Sequence, residues 1–393
     1  MLKGIKSKLI LNKICSNLNK KPLLKLIKYN SKMKSLLNIS LNDYMNYNKI
    51  IIEMIPRETI EGIVKIIDYE EKNKFYYHIY FNDDNIEIKN RGIIGFIKNL
   101  FKITNYISKI DNVKKIKVII DGEINSLKCL FKDCKCLKEI NFIQFNNNKI
   151  KDMSDMFSGC SSLEKLNILN IKTDKVTSME NMFRCCNKLV KLDLKNFKTN
   201  NVRNMKGMFY GCSLLEDLNF LIFDTSNVTK MNDMFYNCTY LKELNVYNID
   251  GIPKEKDIKI IHEKYPLLND FNILNFKTFN VIDMSFMFDS CYSLKKFHII
   301  NFDTSKVKIM NRIFCGCESL NDFDLTKFVI NKETSVYCSF ANSTQQLINK
   351  IKQQNMDINE NAFGMPPIPA KKLSGILITS AQGQLITRKI KAR

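Results

Sequence analysis

A Met-Phe pair, or a close relative of it, returns along this chain every 26 residues. It appears at Leu130-Phe131, Met156-Phe157, Met182-Phe183, Met208-Phe209 and Met234-Phe235, then at Met287-Phe288 and Ile313-Phe314. Three residues after each pair stands a cysteine: Cys134, Cys160, Cys186, Cys212, Cys238, Cys291 and Cys317. Three further on stands a leucine: Leu137, Leu163, Leu189, Leu215, Leu241, Leu294 and Leu320. Several positions keeping one period together mark a repeat architecture, in which each unit is too small to hide its own apolar side and must share it with the next.

Within a unit, Leu215-x-x-Leu218-x-Phe220 ends in the period-two alternation of a short strand with one buried face. Phe223 and Thr225 follow, then Val228, Met231, Met234, Phe235 and Cys238, spaced three, three, one and three apart. That spacing suits one face of a helical turn or two, and Thr225-Ser226-Asn227 supplies helix-start residues. The expected unit is therefore a strand, a turn and a helix-like return, and eight such units would build a parallel sheet roughly 40 Å long. Between Met234 and Met287 the interval is two steps plus one residue, with the surplus inside 250–257. A degenerate unit is read there from Ile258, Ile261, Tyr265, Leu268, Phe271, Ile273, Phe276, Thr278, Val281 and Met284.

The segment 223–238, FDTSNVTKMNDMFYNC, resembles the repeat of the BspA-type leucine-rich-repeat proteins, a surface-protein repeat family. The resemblance spans roughly residues 113–345 and implies a curved solenoid with a binding role. The fold class is then α/β: a leucine-rich-repeat solenoid with a curved parallel sheet and helix-like returns, preceded by a small α+β cap region. Residues 1–49 read as a basic helical segment, 50–112 as the cap, 113–345 as the solenoid, and 346–393 as a helix or linker followed by a basic flexible tail.

The net charge is +21, unevenly placed. Residues 1–49 carry eleven Lys against Asp43 alone, and the last thirty carry six Lys or Arg and no acid. Two apolar stripes, Ile5, Leu9, Ile10, Ile14, Leu18 and Leu23, Leu26, Ile27, Met33, Leu37, make amphipathic helices of the first segment. That stretch faintly resembles an F-box, without its Leu-Pro opening or later Trp. In the cap, Phe75–Phe81 and Ile86–Ile88 flank Asn82–Asn85 as a hairpin, a helical piece is expected near 93–108, and a strand over 115–120. No run approaches the ~18–20 apolar residues of a membrane span, and no secretion signal stands out. With an odd 13 Cys, a reduced cytoplasmic setting is expected.

The cysteine ladder invites a metal or redox reading. One sulfur per unit, on the apolar face, instead describes a small buried hydrophobe, because zinc needs four ligands around one point. His78, His262 and His298 have no patterned Ser, Cys or Asp beside them, and no phosphate-cradling glycine loop occurs. No catalytic, cofactor or metal site is assigned, and no small-molecule substrate. Nucleic acid is disfavoured, the basic ends lacking interleaved aromatics.

The informative surface is the outward side of the strands. One polar row runs Asn141, Asn167, Asp193, Asn219, Asn245, Asn272, His298 and Asp324. Two residues beyond each member runs a largely apolar one: Ile143, Leu169, Lys195, Leu221, Tyr247, Leu274, Ile300 and Thr326. Leu169 and Asp193 represent the candidate partner-binding face. Either the apolar row docks a protein partner, or it turns under the following loop into the core. The function expected is a non-catalytic protein-recognition scaffold. A ubiquitin-ligase substrate adaptor and a surface adhesin are the alternatives.

Overall fold

The computed structural model describes residues 49–69, 73, 76–82, 106–108, 112–122, 124–219, 223–241, 243–246, 277–299, 302–324, 328–354 and 357–364. The basic segment 1–48, the second arm of the expected hairpin and the tail from 365 lie outside them.

Strand β1 (Ile50–Pro56) buries alternate residues, Ile50, Ile52, Met54 and Pro56, as its isoleucine-rich alternation demands. It lies between β5 (Ile116–Ile120) and β6 (Leu137–Phe145), antiparallel to both, with β3 (Tyr77–Phe81) outside β5. β6 then pairs in parallel with β7 (Lys165–Asn167). One five-stranded sheet, ordered β3-β5-β1-β6-β7, thus carries the chain from the antiparallel cap into the repeats. The strand expected over 115–120 belongs to the cap side of this sheet. The helix expected near 93–108 fails at its end: Tyr106–Ser108 is strand β4, paired antiparallel with β2 (Ile63–Lys65). The rest of that stretch lies outside the described residues.

The later units contribute short strands: β8 (Lys191–Asp193) with β9 (Asp217–Asn219), and β10 (Glu243–Val246) with β11 (Lys296–Ile299) and β12 (Asp322–Asp324), all parallel. The opposite wall is more continuous. Single parallel bridges join Ser126, Asp152, Ser178, Asn204, Lys230, Asp283, Ile309 and Ser335 in order.

No helix forms on that wall among the described residues, so the helix-like return is replaced by a ladder of tight turns. The amides of Leu127, Cys129, Phe131 and Asp133 donate to the carbonyls of Asp152, Ser154, Met156 and Ser158 in the next unit, at 2.9, 3.0, 2.8 and 2.7 Å. Between them, Leu130, Lys132 and Cys134 donate to the carbonyls three residues back. An α-helix would send every amide four residues back along its own unit. Each unit also holds two left-handed residues, four apart: Asp155 and Gly159, Asn181 and Cys185, Gly207 and Gly211, Asp233 and Asn237. Left-handed residues at that density cannot sit in a right-handed helix.

The degenerate unit, apart from Thr278, Val281 and Met284, lies outside the described residues, and the coils flanking it are direct neighbours. Lys230 bridges directly to Asp283, β10 pairs directly with β11, and Phe235 donates its amide to Met287. A regular coil takes five residues from Leu194 to Thr199, whereas Val246 to Thr278 takes 32, an interval longer by 27 residues (32 − 5). Thr278, Val281 and Met284 belong to the coil that follows.

The stack ends in a cap. The amides of Cys338 and Phe340, which would face a further coil, donate to the carbonyls of Asn361 and Ala362 at 2.7 and 2.8 Å. Helix α1 (Gln345–Gln354) buries Leu347 and Ile351, and Phe363 packs on Phe340. Exposed backbone edges invite unwanted pairing, and this one is covered.

Candidate partner-binding face

The core that carries this face is a spine of phenylalanines. Phe131, Phe157, Phe183, Phe209, Phe235, Phe288 and Phe314 stack ring on ring with centroids 5.4–5.6 Å apart. All are fully buried, as are Met156, Met182, Met208, Met234 and Met287.

The cysteines do more than fill space. Cys160, Cys186, Cys212, Cys238, Cys291 and Cys317 each donate Sγ–H to the carbonyl of the spine phenylalanine of the preceding coil, at 3.0–3.2 Å. In the last coil Ser343 occupies the cysteine position and makes the same bond to Phe314 at 2.7 Å. Burial raises these thiols, Cys212 to about 12, so they stay protonated donors rather than nucleophiles or metal ligands. The sequence carried a hint of this role, since a Ser follows Cys317 at the same 26-residue step. Among the described residues no group of three His, Cys, Asp or Glu side chains could hold a metal ion. His78 lies 3.3 Å from Asp121 in the cap sheet.

Threonines placed at the expected helix starts serve as clamps between coils. Thr173, Thr199, Thr225, Thr278 and Thr304 are buried and donate to carbonyls of the following coil at 2.6–3.0 Å. Two residues on, Asn201, Asn227 and Asn280 donate back to carbonyls of the preceding coil at 2.7–2.8 Å.

On the strand side, the pairings bring Asn141 beside Asn167, Asp193 beside Asn219, and His298 between Asn245 and Asp324. Where the side chains are described, the polar row holds the chain's own turn. Asn167 accepts from the Leu169 amide at 3.4 Å and Asp193 from the Lys195 amide at 3.0 Å, and Lys195 returns an ion pair to Asp193 at 3.1 Å. In the second row Ile143 is 51% exposed and Leu169 36%, and Lys195 is exposed too. Their backbone is pinned from the neighbouring coil: Asn170 donates to the carbonyls of Phe142 and Ile143, and Asn196 to that of Leu169. Ile143 and Leu169 therefore do not turn under into the core. Asn272, Leu221, Tyr247, Leu274, Ile300 and Thr326 lie outside the described residues.

These features define a repeat protein, mostly sheet with few helices, whose coils are locked by side chain to backbone bonds. The chain belongs to the family described as "Mycoplasma protein of unknown function, DUF285", which matches residues 125–249 and 256–367. The break at 250–255 falls inside the stretch where the repeat gains its surplus residue. No curated protein is significantly similar to this chain. Among solved structures it is similar to the crystal structure of a leucine-rich repeat protein from Bacteroides ovatus, at 19% identity over 58% of this chain, with a TM-score of 0.21. The chain spans 65% of that protein's length. No helix among the described residues is long and apolar enough to cross a membrane.

Proposed function

We propose that this chain is a leucine-rich-repeat-type solenoid that acts, without catalysis, as a recognition scaffold for a protein partner. The partner docks on the outward strand side, with the second row at its centre. The observation that carries this reading is the exposure of Ile143 and Leu169 on adjacent coils, with their backbone fixed by Asn170 and Asn196. Apolar side chains held in water by a rigid frame pay little ordering cost on binding, the condition under which a small patch contributes real affinity. Charged pairs near its edge, Lys165 with Glu139 and Lys195 with Asp193, suit a polar rim.

The test compares full-length protein with an Ile143→Ser, Leu169→Ser double variant in quantitative affinity capture followed by mass spectrometry. A partner enriched by the parent and lost from the variant, with an unchanged thermal unfolding midpoint, is the expected result. Identical partner profiles for the two proteins overturn the assignment of this face.

A further inference from the structure

Cys315 and Cys338 stand apart from the cysteine ladder. They are buried in a small cluster with Ala341, separate from the main core, and neither donates to the phenylalanine spine. Their register carries the argument. On the turn wall, several pairs of residues 23 apart in adjacent coils meet side chain to side chain: Lys132 reaches Asp155 at 3.2 Å, and Arg312 pairs with Asp289. Across the longer interval the equivalent residues are Tyr236 and Phe286, whose rings lie 6.2 Å apart. The next pair in this series is Cys315 and Cys338. Where three of the other coil pairs place opposite charges or two rings, the final one places two free thiols.

We propose that Cys315 and Cys338 form an oxidisable pair whose disulfide staples the last coil of the stack. With a peroxide as oxidant the step balances. Cys338, uncovered when the closing turn opens, attacks the peroxide as its thiolate, forming a sulfenic acid and releasing water; burial pushes the Cys315 thiol up to about 11, so it acts second. The second sulfur displaces the hydroxyl, which leaves as a second water, and the S–S bond forms. Two thiols and one hydrogen peroxide give one disulfide and two waters. Access comes through the closing turn of the stack. Cys338 Sγ–H donates to the Gly364 carbonyl at 3.4 Å, so the closing turn 360–364 covers it rather than a further coil. Terminal segments open locally at far lower cost than an internal layer. Once formed, the bond would hold the closing coil to its neighbour and restrict the unfolded chain.

The experiment treats folded full-length protein with hydrogen peroxide, caps remaining thiols with N-ethylmaleimide, and maps tryptic peptides without reduction. The expected product links peptide 313–327 to peptide 333–350 through Cys315 and Cys338, two hydrogens lighter than the free pair apart from the N-ethylmaleimide carried by Cys317. It should disappear on reduction and be absent from Cys315→Ala, which places at 315 the residue that Ala341 supplies in the next coil. The oxidised parent, and not the variant, should also unfold at a higher temperature than its reduced form. Recovery of both peptides with unlinked thiols, or linkage through Cys317, overturns the proposal. Should Cys315→Ala fail to fold, fragment mapping on the parent decides alone.

Discussion

The two walls of the stack are built from the same 26-residue period and yet differ in regularity. On the turn wall the described coils repeat the same amide ladder and paired left-handed residues, and from Cys160 to Cys317 the same sulfur-to-carbonyl bond, which Ser343 replaces with a hydroxyl in the last coil. On the strand wall the ladder breaks into pieces, β6 with β7, β8 with β9, and β10 with β11 and β12, and the strands after β6 run to three or four residues. The 27 surplus residues between Val246 and Thr278 leave the turn wall continuous, with Phe235 stacked on Phe288 at 5.5 Å. One wall holds the coils together, and the other is free to vary.

This contrast can be broken most forcefully at the spine. Phe209→Ala removes a ring stacked between Phe183 and Phe235 and should cost about 3–5 kcal/mol in denaturant unfolding. A loss below about 1 kcal/mol would mean that the spine is not the main support of the wall. Next comes the sulfur bond. Cys212→Ala removes one of two donors from the Phe183 carbonyl, which keeps the Cys186 amide, and leaves a small void, with an expected loss of about 1–2 kcal/mol by the same measurement. Gly159→Ala should follow at about 1–2 kcal/mol, because its φ is +74° and a Cβ there would lie 2.2 Å from Asp133 Oδ1.

The smallest effect belongs to the corner between the walls, where Lys198 pairs with Asp174 at 2.7 Å and both are largely exposed. The Lys198 hydrogen bond holds the Asp174 carboxyl below its usual range. A depressed carboxylate contributes stability above its ordinary value and loses it as pH falls through the folded one. Lys198→Ala should therefore cost at most ~0.5 kcal/mol near neutrality, vanishing once the carboxyl is protonated, which urea titrations at the two pH extremes would register.

Much of this was legible from residues alone, because burial obeys the period. Phe, Met, Cys and Leu at fixed offsets had to face inward, and they do. The return between strands was not legible. Spacings of three, three, one and three fit a helix and also fit consecutive i to i−3 turns. What separates the two is backbone sign, and the left-handed positions are filled by Cys129, Phe286, Arg312 and Cys338 as readily as by Gly207 or Asn181. Without a fixed glycine, the pattern hides the turn. Apolar residues at 258–276 match the template well enough to suggest a coil; they lie outside the described residues, and the direct pairing of β10 with β11 makes the coils flanking them neighbours, which periodicity does not reveal. Asn167 and Asp193 read as a recognition row because alternation puts them outward, but periodicity says nothing of the backbone amides they satisfy.

Amide hydrogen exchange read peptide by peptide addresses the division of labour between the walls. Segments 153–159, 179–185 and 205–211 should exchange slowest in the molecule, and segments 164–169 and 190–195 distinctly faster. Equal protection on both sides, or slower exchange along the strands, would contradict a stack held by its turns.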